Sequence, residues 1–585
     1  MLLQRLVEYS ERLELPPPLY AKTPVRYLIE LDGGGRLVNR SPVDRAESAS
    51  GRGSRGGVLT VPQIVRSSGV QPLLLADNAE YTLGLGRETS KPERVAACHA
   101  AYRDLVRACA AASGEPAIQA VQSFLDSGGA SELDLPADFD RGATVTFRVD
   151  GTFPVDLPAV QRYWADLHSP EADGAPVMEC VVCGRRRPVL ERLQAKLKGV
   201  PGGQTSGTAL ISANAEAFES YGLQASLVAP TCAECGERFT KAANDLLSSL
   251  TNRVVLGGAA FIFWTRDPAV EVPLRALLTE PQQEQVRELL ASVRTGRRVP
   301  LDETAFYGTV LSGSGGRAVV RDWIDTTVGS VKANVASWFE RQRIVDASGA
   351  VLPPLGLFAL ARATVREPRD LAPTTPRALV RCAVQGTPLP WDLLYQAVRR
   401  NRAEQKVTSW RAALIKLVLS TNGCLGKGEG MIQLNEDSVE PAYRCGRLLA
   451  VLEEVQRAAI PGAKATIVDR FFGTASSAPA SVFGRLLRGA QPHLAKLERD
   501  RRGAYVALQR RLENVQAGLS GFPRTLTLEQ QGLFALGYYH QRAADRAQAK
   551  EAGERRKAGL PAAGEDLGAD AGLLAFDPTD NEGEG

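Results

Sequence analysis

The sequence SVFGRLLRGAQPHLAKLERDRRGAYVALQRRLENVQAG, residues 481–518, carries apolar side chains three or four positions apart, with charged residues between them. This spacing places the apolar side chains on one face of an α-helix, so it predicts a long amphipathic helix. Shorter stretches with the same spacing lie on either side of it, at residues 409–419, 442–458 and 528–549. Together they predict a C-terminal helical bundle over residues 405–557.

The N-terminal half contains short stretches in which apolar and polar residues alternate, a pattern typical of β-strands. RYLIEL at 26–31 is followed by the turn DGGG and a short stretch at 36–38, so this region predicts a β-hairpin. TVTFRV at 144–149 predicts another strand, and the apolar run VVLGGAAFIFW at 254–264 predicts one buried strand. We therefore expect an α+β, multidomain chain, with a mixed α/β N-terminal and central region ahead of the helical bundle.

Composition indicates a folded protein without a membrane-spanning helix. Of its 585 residues, 44% are apolar and 23% are charged, and the length predicts several domains. The longest uncharged apolar run, at 254–264, is much shorter than the ~20 residues that a spanning helix needs. Charged side chains between positions 5 and 12 argue against a secretory signal. We expect a cytoplasmic protein that does not associate with membranes.

Charge is distributed unevenly along the chain. Residues 558–585 contain seven acidic and no basic side chains, a composition that predicts a disordered acidic tail. The rest of the chain is therefore more basic than the net charge of +4 indicates. A basic body permits nucleic-acid binding, but scattered arginines are equally typical of an ordinary solvated surface.

Four of the nine cysteines form two CxxC pairs, CVVC and CAEC, and each pair is followed by glycine. Two such pairs supply the four thiolates of a structural zinc site. The ligands would be Cys180, Cys183, Cys232 and Cys235. The pairs are 48 residues apart, which suits an intervening hairpin or helix whose ends are held together. Four unrelated buried cysteines, or a redox-active pair, remain the alternative interpretations.

Motifs for catalysis are missing from the sequence. None of the four histidines is followed by aspartate, and there is no HExxH, GxSxG or GxxxxGK[S/T] motif. The glycine-rich GSGG at 313–316 lacks the lysine of a phosphate-binding loop and predicts a turn before a strand at 317–323. We therefore expect a protein that is not an enzyme.

Several longer stretches occur in an order that is shared with one family. In chain order they are LPPPLY at 15–20, VRYLIELD at 25–32, RSSGVQP at 66–72, LADNAEY at 75–81, GTALIS at 207–212, AFESYG at 217–222, PAY at 441–443, GRL at 446–448, FFGTAS at 471–476 and GLFALGYYHQ at 532–541. Over residues 1–546 the chain resembles the large subunit of the type I-C CRISPR surveillance complex, Cascade. The last of these blocks is the most specific.

This resemblance implies a non-catalytic role in RNA-guided DNA recognition. In such systems the guide RNA reads the target by base pairing, whereas protein reads a short flanking motif in the duplex and stabilises the displaced strand. The implied partners are the CRISPR guide RNA, the target double-stranded DNA with its displaced strand, the backbone and guide-processing subunits, and a recruited helicase–nuclease. The alternative function is a stand-alone zinc-containing DNA-binding regulator or nuclease.

A further partner implied by the resemblance is a small helical subunit made from the same gene by internal translation. Met431 follows the glycine-rich residues 423–430 and precedes the helical block, so it is one candidate start. Val468 and Val482 are equally open candidates, because bacterial valine starts are not visible in a protein sequence.

The predicted organisation combines these features into five segments. They are an N-terminal α+β region that recognises the flanking motif (1–160), a zinc-knuckle segment (161–252), a mixed α/β central region (253–404), a C-terminal helical bundle resembling the small subunit (405–557) and the acidic tail (558–585).

Two groups of residues are candidates for DNA contacts. A motif reader needs hydrogen-bonding side chains on a shaped loop, and the N-terminal candidates are Lys22, Arg66, Gln71 and Asn78. The helical stretch at 481–518 offers cations that would follow the phosphates of a displaced strand. These candidates are Arg485, Arg488, Arg499 and Arg502, in two i,i+3 pairs that each share a helix face. The alternatives are turn residues that satisfy local backbone and a charged helix that is merely solvated.

Overall fold

The computed structural model describes residues 1–46, 56–64, 66, 69–169, 174–193, 195–213, 215–270, 273–294, 300–425 and 431–558. The predicted acidic tail from residue 559 onward lies outside these residues, as do residues 426–430 of the glycine-rich stretch before Met431. The chain forms two compact units. The first comprises Met1–Ser249 and Leu311–Arg321, and the second comprises Leu250–Val310 and the chain from Asp322 onward.

The α+β, multidomain character predicted from the sequence is confirmed: the described residues form small sheets in both units, and the C-terminal part is helical. The finer division into five segments stays a prediction.

The first unit is built from short strands and from helices of very different lengths. Its helices are α1 (Leu2–Ser10), α2 (Ala79–Thr82), α3 (Pro92–Ser113), α4 (Pro116–Asp126), α5 (Pro158–Leu167) and α6 (Ala233–Ser248). Its strands are β1 (Tyr20–Val25), β2 (Tyr27–Leu31), β3 (Val43–Asp44), β4 (Gly57–Pro62), β5 (Ala76–Asn78), β6 (Thr144–Val149), β7 (Val177–Glu179) and β8 (Arg186–Pro188).

A four-stranded sheet in the order β3-β2-β6-β5 lies at the centre of the N-terminal part. Strands β2 and β6 are parallel, with Ile29 opposite Phe147, and the chain between them contains α3 and α4. Tyr102 of α3 and Phe124 of α4 belong to the same buried cluster as these strands. A parallel pair requires a long crossover connection, and the two helices provide it.

The predicted hairpin at 26–38 is wrong in its pairing. The returning stretch forms only a single bridge, between Leu31 and Leu37, and the strand at 27–31 pairs with β3 and β6 instead. The reason is burial, because four of the five residues of β2 are buried and such a strand needs partners on both edges. The predicted strand at 144–149 is confirmed as β6.

The second unit begins with a small sheet and continues as a helical assembly. The strands of this sheet are β9 (Arg253–Val255), β10 (Ala259–Thr265), β11 (Ala305–Ser314) and β12 (Arg317–Thr327), in the order β12-β11-β10-β9. The adjoining ends of β11 and β12, from Leu311 to Arg321, belong to the first unit. Its helices are α7 (Leu274–Thr279), α8 (Gln283–Arg294), α9 (Val328–Gln342), α10 (Leu357–Arg362), α11 (Thr374–Gln385), α12 (Trp391–Glu404), α13 (Ser409–Thr421), α14 (Pro441–Ala459), α15 (Ile467–Ala475), α16 (Phe483–Asp500), α17 (Arg502–Ala517) and α18 (Leu528–Lys557).

Two glycine-containing turns shape this sheet. The run at 254–264 forms not one buried strand, as predicted, but two antiparallel strands that reverse at Gly257, whose φ is +65°. A left-handed residue of this kind favours glycine and allows the tight reversal. The predicted turn at 313–316 is confirmed, since it joins β11 to β12 with Gly315 at φ +59°.

The predicted helices at 409–419, 442–458 and 528–549 are confirmed as α13, α14 and α18. The prediction of a single helix at 481–518 is wrong, because the chain leaves helical geometry at Arg501, with φ −151° and ψ 65°. Both pieces bury an apolar stripe, and the residues between Leu497 and Ala504 include no buried one. The break allows α16 and α17 to pack against the same neighbour, α14.

Among the described elements, helices α14 and α18 share the most extensive contact. Gly446 on α14 lies against the Phe534 carbonyl, and Gly537 on α18 lies against the Tyr443 carbonyl. Neither position has space for a Cβ atom, so the two backbones approach at reciprocal glycine contacts. No helix in the described part of the chain combines the length and the apolar character needed to cross a bilayer.

Candidate metal centre and nucleic-acid surfaces

The four cysteines of the two CxxC pairs meet at one point in the first unit. Their Sγ atoms all lie within 4.8 Å of one another. In a tetrahedral zinc–thiolate site with bonds of ~2.3 Å, the sulfurs are about 3.8 Å apart. Small side-chain adjustments therefore suffice for the cluster to hold a metal ion. Three of the thiols are buried, and Cys183 is exposed.

Two local structures present these thiols. The first pair lies in the turn between β7 and β8, where Gly184 adopts φ +68°. The second pair begins α6, with Cys232 as the N-cap residue and Cys235 in the first turn. Of the two glycines that follow the CxxC pairs, only Gly184 allows a turn. Gly236 is helical, and a Cβ there would come within 2.8 Å of Leu193 Cδ2, so packing explains it.

The electrostatics of the cluster favour a bound cation. Burial alone would raise the pKa of Cys180, but backbone N–H groups of Cys183, Cys232 and Val182 lower it to about 7. Burial raises the pKa of Cys232, and burial together with the neighbouring thiols raises the pKa of Cys235. Because the thiolates crowd one another, a divalent cation would favour the ionised form of all four.

Helix α6 connects the cysteine cluster to the N-terminal helix α1. Arg238 of α6 donates to Ser10 Oγ at 3.0 Å and to the Glu11 carboxylate at 3.1 Å. Further along, the Tyr9 hydroxyl donates to Asp245 at 2.8 Å. Since α6 begins at the second cysteine pair, the cluster fixes the end of the helix on which α1 packs.

The same helix also holds the triple proline that leads into β1. Lys241 Nζ donates to the carbonyls of Pro16 and Pro17, at 2.9 and 3.2 Å. Glu237 accepts from the backbone N–H of Leu19 at 2.8 Å. The start of β1 is therefore positioned by side chains that lie within three turns of the cysteine cluster.

Lys22, one of the predicted DNA contacts, lies in this anchored strand. Its side chain is exposed, and Thr60 of β4 is its cross-strand partner. The structure thus places Lys22 on a two-stranded ribbon rather than on a loose loop after the prolines.

Arg66, a second predicted contact, is engaged within the protein. Its guanidinium forms an ion pair with the buried Asp77 and lies over the Tyr81 ring, 4.5 Å from the centroid. Asp77 also accepts from the Leu73 backbone N–H at 2.9 Å. Arg66 is therefore held to β5, and its charge is already balanced by a carboxylate.

Gln71 and Asn78, the two predicted base readers, differ in their surroundings. Asn78 is the N-cap of α2, and its side chain accepts from the Glu80 backbone N–H at 3.0 Å. Gln71 donates its backbone N–H to the Tyr81 hydroxyl, whereas its buried Oε1 accepts no hydrogen bond from the described residues. The local-backbone alternative thus applies to Asn78, while the Gln71 amide has unused hydrogen-bonding capacity.

The basic stretch at 481–518 separates into structural and exposed cations. Lys496 and Arg501 donate to the carbonyls of Ala459 and Ala458 at the C-terminal end of α14, at 2.9 and 3.2 Å. Cations at this position complement the helix dipole. The exposed arginines of this stretch that do not bond to α14 are Arg485, Arg488, Arg499, Arg502 and Arg510.

The break at Arg501 changes which arginines share a face. Arg499 lies on α16 and Arg502 on α17, so the predicted i,i+3 pair on one helix does not exist. At about 100° per residue, Arg499 falls on the same side of α16 as Arg485 and Arg488, opposite its buried apolar stripe. These three residues, here called the α16 outer face, span about 21 Å of helix.

Sequence reasoning missed the residues that support these candidates. Asp77, which holds Arg66, and the α6 residues Glu237, Arg238 and Lys241 belong to this group. The only signal in the sequence is the i,i+4 charge spacing of Glu237 and Lys241 directly after the second CxxC pair. Their partners are distant in sequence and become visible only in the fold.

Almost the whole chain matches a known protein family. The family model described as CRISPR-associated protein (Cas_Csd1) matches residues 6–545, and no curated protein matches the chain. The matched range contains both CxxC pairs, the loop around Gln71 and the α16 outer face. This family match agrees with the resemblance to the type I-C large subunit that the sequence shows over residues 1–546. Because the match extends over nearly the whole sequence, the chain belongs to the Cas_Csd1 family of CRISPR-associated proteins.

Proposed function

We propose that this chain is the non-catalytic large subunit of an RNA-guided type I-C CRISPR effector complex. It recognises the protospacer-adjacent motif, helps to open the duplex and stabilises the displaced strand for cleavage by a recruited helicase–nuclease. The observation that carries the proposal is the family match over residues 6–545. The absence of common hydrolase and phosphate-loop motifs from the sequence agrees with it.

In this proposal the motif reader is the segment around Gln71 that leads into β5. The ion pair with Asp77 holds Arg66 to β5. Gln71 Oε1 is buried and accepts no hydrogen bond from the described residues, so in this proposal the Gln71 side chain turns outward to reach a base edge. An amide presents a donor and an acceptor side by side, which suits recognition of one base in a groove. Exposed Lys22 supplies the other kind of contact, a cation for a backbone phosphate.

The cysteine cluster has a structural role in this scheme. Four thiolates in a tetrahedron are a typical ligand set of structural zinc, and a closed site with four protein ligands leaves no position for water or substrate. Cys180, Cys183, Cys232 and Cys235 would hold it. Through α6, the ion would keep α1 and the start of β1 in place, and with them the strand that carries Lys22.

The displaced strand follows the α16 outer face. Arg485, Arg488 and Arg499 are exposed, and residues 431–557 contain 20 basic and 13 acidic side chains. Such a surface binds phosphates without reading sequence. The two functions, motif reading and strand holding, therefore rest on different units of the chain.

The proposed partners are the guide RNA, the target duplex, the backbone and guide-processing subunits and the helicase–nuclease, all acting in the cytoplasm.

A small subunit made from Met431, Val468 or Val482 is a further proposed partner. Both α14 and α18 lie downstream of Met431, so a product starting there would retain the contact between these two helices. Intact-mass analysis of the complex expressed from the full gene tests this idea, and detection of full-length chain alone would contradict it.

The test of the main proposal compares two targets in the reconstituted complex. One target has a paired flanking motif, and the other has the same bases pre-opened as a bubble. We expect a complex assembled without this chain to lose binding to the paired target and to retain binding to the opened one. If omission of the chain leaves both affinities unchanged, the proposed role is wrong.

A further inference from the structure

One face of α12, far along the chain from all predicted contacts, carries two exposed aromatic rings and two arginines. Trp391 and Tyr395 are 42% and 52% exposed. Arg399 and Arg402 are also exposed. At about 100° per residue the four side chains lie within roughly 80° of arc, so they form one stripe along the helix.

A groove runs beside this stripe. It has a volume of about 520 Å³, within the ~300–1,000 Å³ typical of sites for organic ligands. Its walls come from α12, α15 and the first turn of α18. The lining residues are Tyr395, Val398, Arg399, Arg402, Ala403, Gly473, Leu528 and Gln531.

The groove is positively charged and has no carboxylate in its lining. Within the described part of the chain, Arg399 and Arg402 form no ion pair. The acids of α12 are engaged elsewhere: Asp392 accepts from Gln396, and Glu404 pairs with Arg400 and Arg411. The two arginines on the stripe are therefore available to an anion from outside.

The wall opposite the stripe is open at one position. Gly473 lies in α15, and a Cβ placed there would meet nothing within 4 Å. Packing inside the protein does not require glycine at this position. A side chain introduced here would instead occupy the space of the groove.

We propose that this α12 groove binds unpaired nucleotides of a single strand, with a base stacked on Tyr395 and phosphates held by Arg399 and Arg402. Every base has a flat face that stacks on an aromatic ring, and arginines beside the ring hold the backbone, so the combination binds single strands without reading sequence. Stacking distinguishes this site from the α16 outer face, where the candidates are cations alone.

The groove deepens the proposed function and rests on it, because a second contact for unpaired bases is useful only to a subunit that handles an opened duplex. The strand is either displaced DNA or guide RNA. These two sources share the same chemistry, and the choice of oligonucleotide in the experiment distinguishes them.

The experiment measures binding of fluorescein-labelled 12-mers to the purified full-length chain by fluorescence anisotropy. The probes are oligo-dT, oligo-rU and an abasic DNA strand with the same number of phosphates. Tyr395→Ala is expected to weaken binding of oligo-dT or oligo-rU by roughly 5- to 100-fold, and Tyr395→Phe to preserve it. The abasic strand should respond to neither change, because it offers nothing to stack.

Two further variants separate charge from shape. Arg399→Gln/Arg402→Gln should reduce the slope of log K against log salt by about 1.4, as expected for two lost phosphate contacts to a single strand. Gly473→Leu should weaken binding without loss of charge, because the leucine side chain fills the groove. The substitution should not destabilise α15, because leucine is a better helix former than glycine. Arg275→Gln/Arg369→Gln, which neutralises two exposed arginines outside the groove, is the matched control and should leave both affinity and slope unchanged.

Each outcome decides the proposal. Selective loss of oligo-dT binding assigns the groove to displaced DNA, and selective loss of oligo-rU binding assigns it to guide RNA. If Tyr395→Ala and Gly473→Leu, shown to be folded by circular dichroism, bind both 12-mers as wild type does, the groove does not hold nucleotides. That result would leave the paired and opened target test of the main proposal unaffected, so the two failures are distinguishable.

Discussion

The Cys232→Ser chain is expected to carry no zinc, and its first unit is expected to unfold well below the melting temperature of the wild-type protein. Wild-type chain should contain about one zinc ion per molecule by elemental analysis. Structural zinc contributes an apparent ~10–16 kcal/mol to the folding of zinc-finger peptides at pH 7. Even half of that is comparable with the total stability of a typical domain, ~5–15 kcal/mol.

The structure explains why loss of the metal should also destabilise the N-terminal segment. Cys232 is the N-cap of α6, and α6 holds α1 through Arg238 and the triple proline through Lys241. We therefore expect the N-terminal segment of the variant to become sensitive to protease.

Cys424→Ser is the matched control, since this partly exposed cysteine lies in the second unit, away from the cluster. It should retain zinc and the wild-type melting temperature. Wild-type protein that is free of zinc and fully stable, with all four cluster thiols reactive, would contradict the assignment.

Gly537→Ala should be among the most destabilising alanine substitutions in the second unit. A Cβ at this position would lie against the backbone carbonyl of Tyr443, far inside van der Waals contact. Backbone atoms cannot rotate away, so α14 and α18 must separate. Overpacking of this kind costs about 1–3 kcal/mol and occasionally more. Chemical denaturation of the full chain, followed by circular dichroism, measures the change.

A second glycine provides the matched control. Gly489 lies in α16, and a Cβ there would meet nothing within 4 Å. Gly489→Ala should therefore stabilise the protein slightly, by up to about 1 kcal/mol, through the higher helix propensity of alanine. Equal effects of the two substitutions would show that the helices do not pack as closely as described.

Local patterns in the sequence predicted much of the fold. The alternation at 144–149 and the helical spacing at 442–458 correspond closely to β6 and α14, because each element follows from side-chain periodicity within one segment. The CxxC spacing likewise predicted the meeting of four thiols, since a zinc site imposes its own geometry.

What the sequence did not reveal depends on contacts between distant segments. The parallel pairing of β2 with β6 cannot be read from either strand alone, and the break at Arg501 arises because α16 and α17 both pack on α14. The candidate site shows the same limit. Asn78 was predicted as a base reader, and its Oδ1 caps α2. Arg66 was predicted as a DNA contact, and its guanidinium pairs with Asp77.

The central claim is that this chain reads the flanking motif in duplex DNA, with Gln71 as its base-reading side chain. The most direct measurement is the ratio of Kd for a target with a paired flank to Kd for the same target with an opened flank, in the reconstituted guide-containing complex. We predict that Gln71→Ala raises this ratio by roughly 5- to 150-fold, the equivalent of about 1–3 kcal/mol for a base-edge contact. Gln119→Ala, at an exposed glutamine on α4, should leave the ratio unchanged. A ratio for Gln71→Ala equal to that of the wild-type complex would contradict the claim.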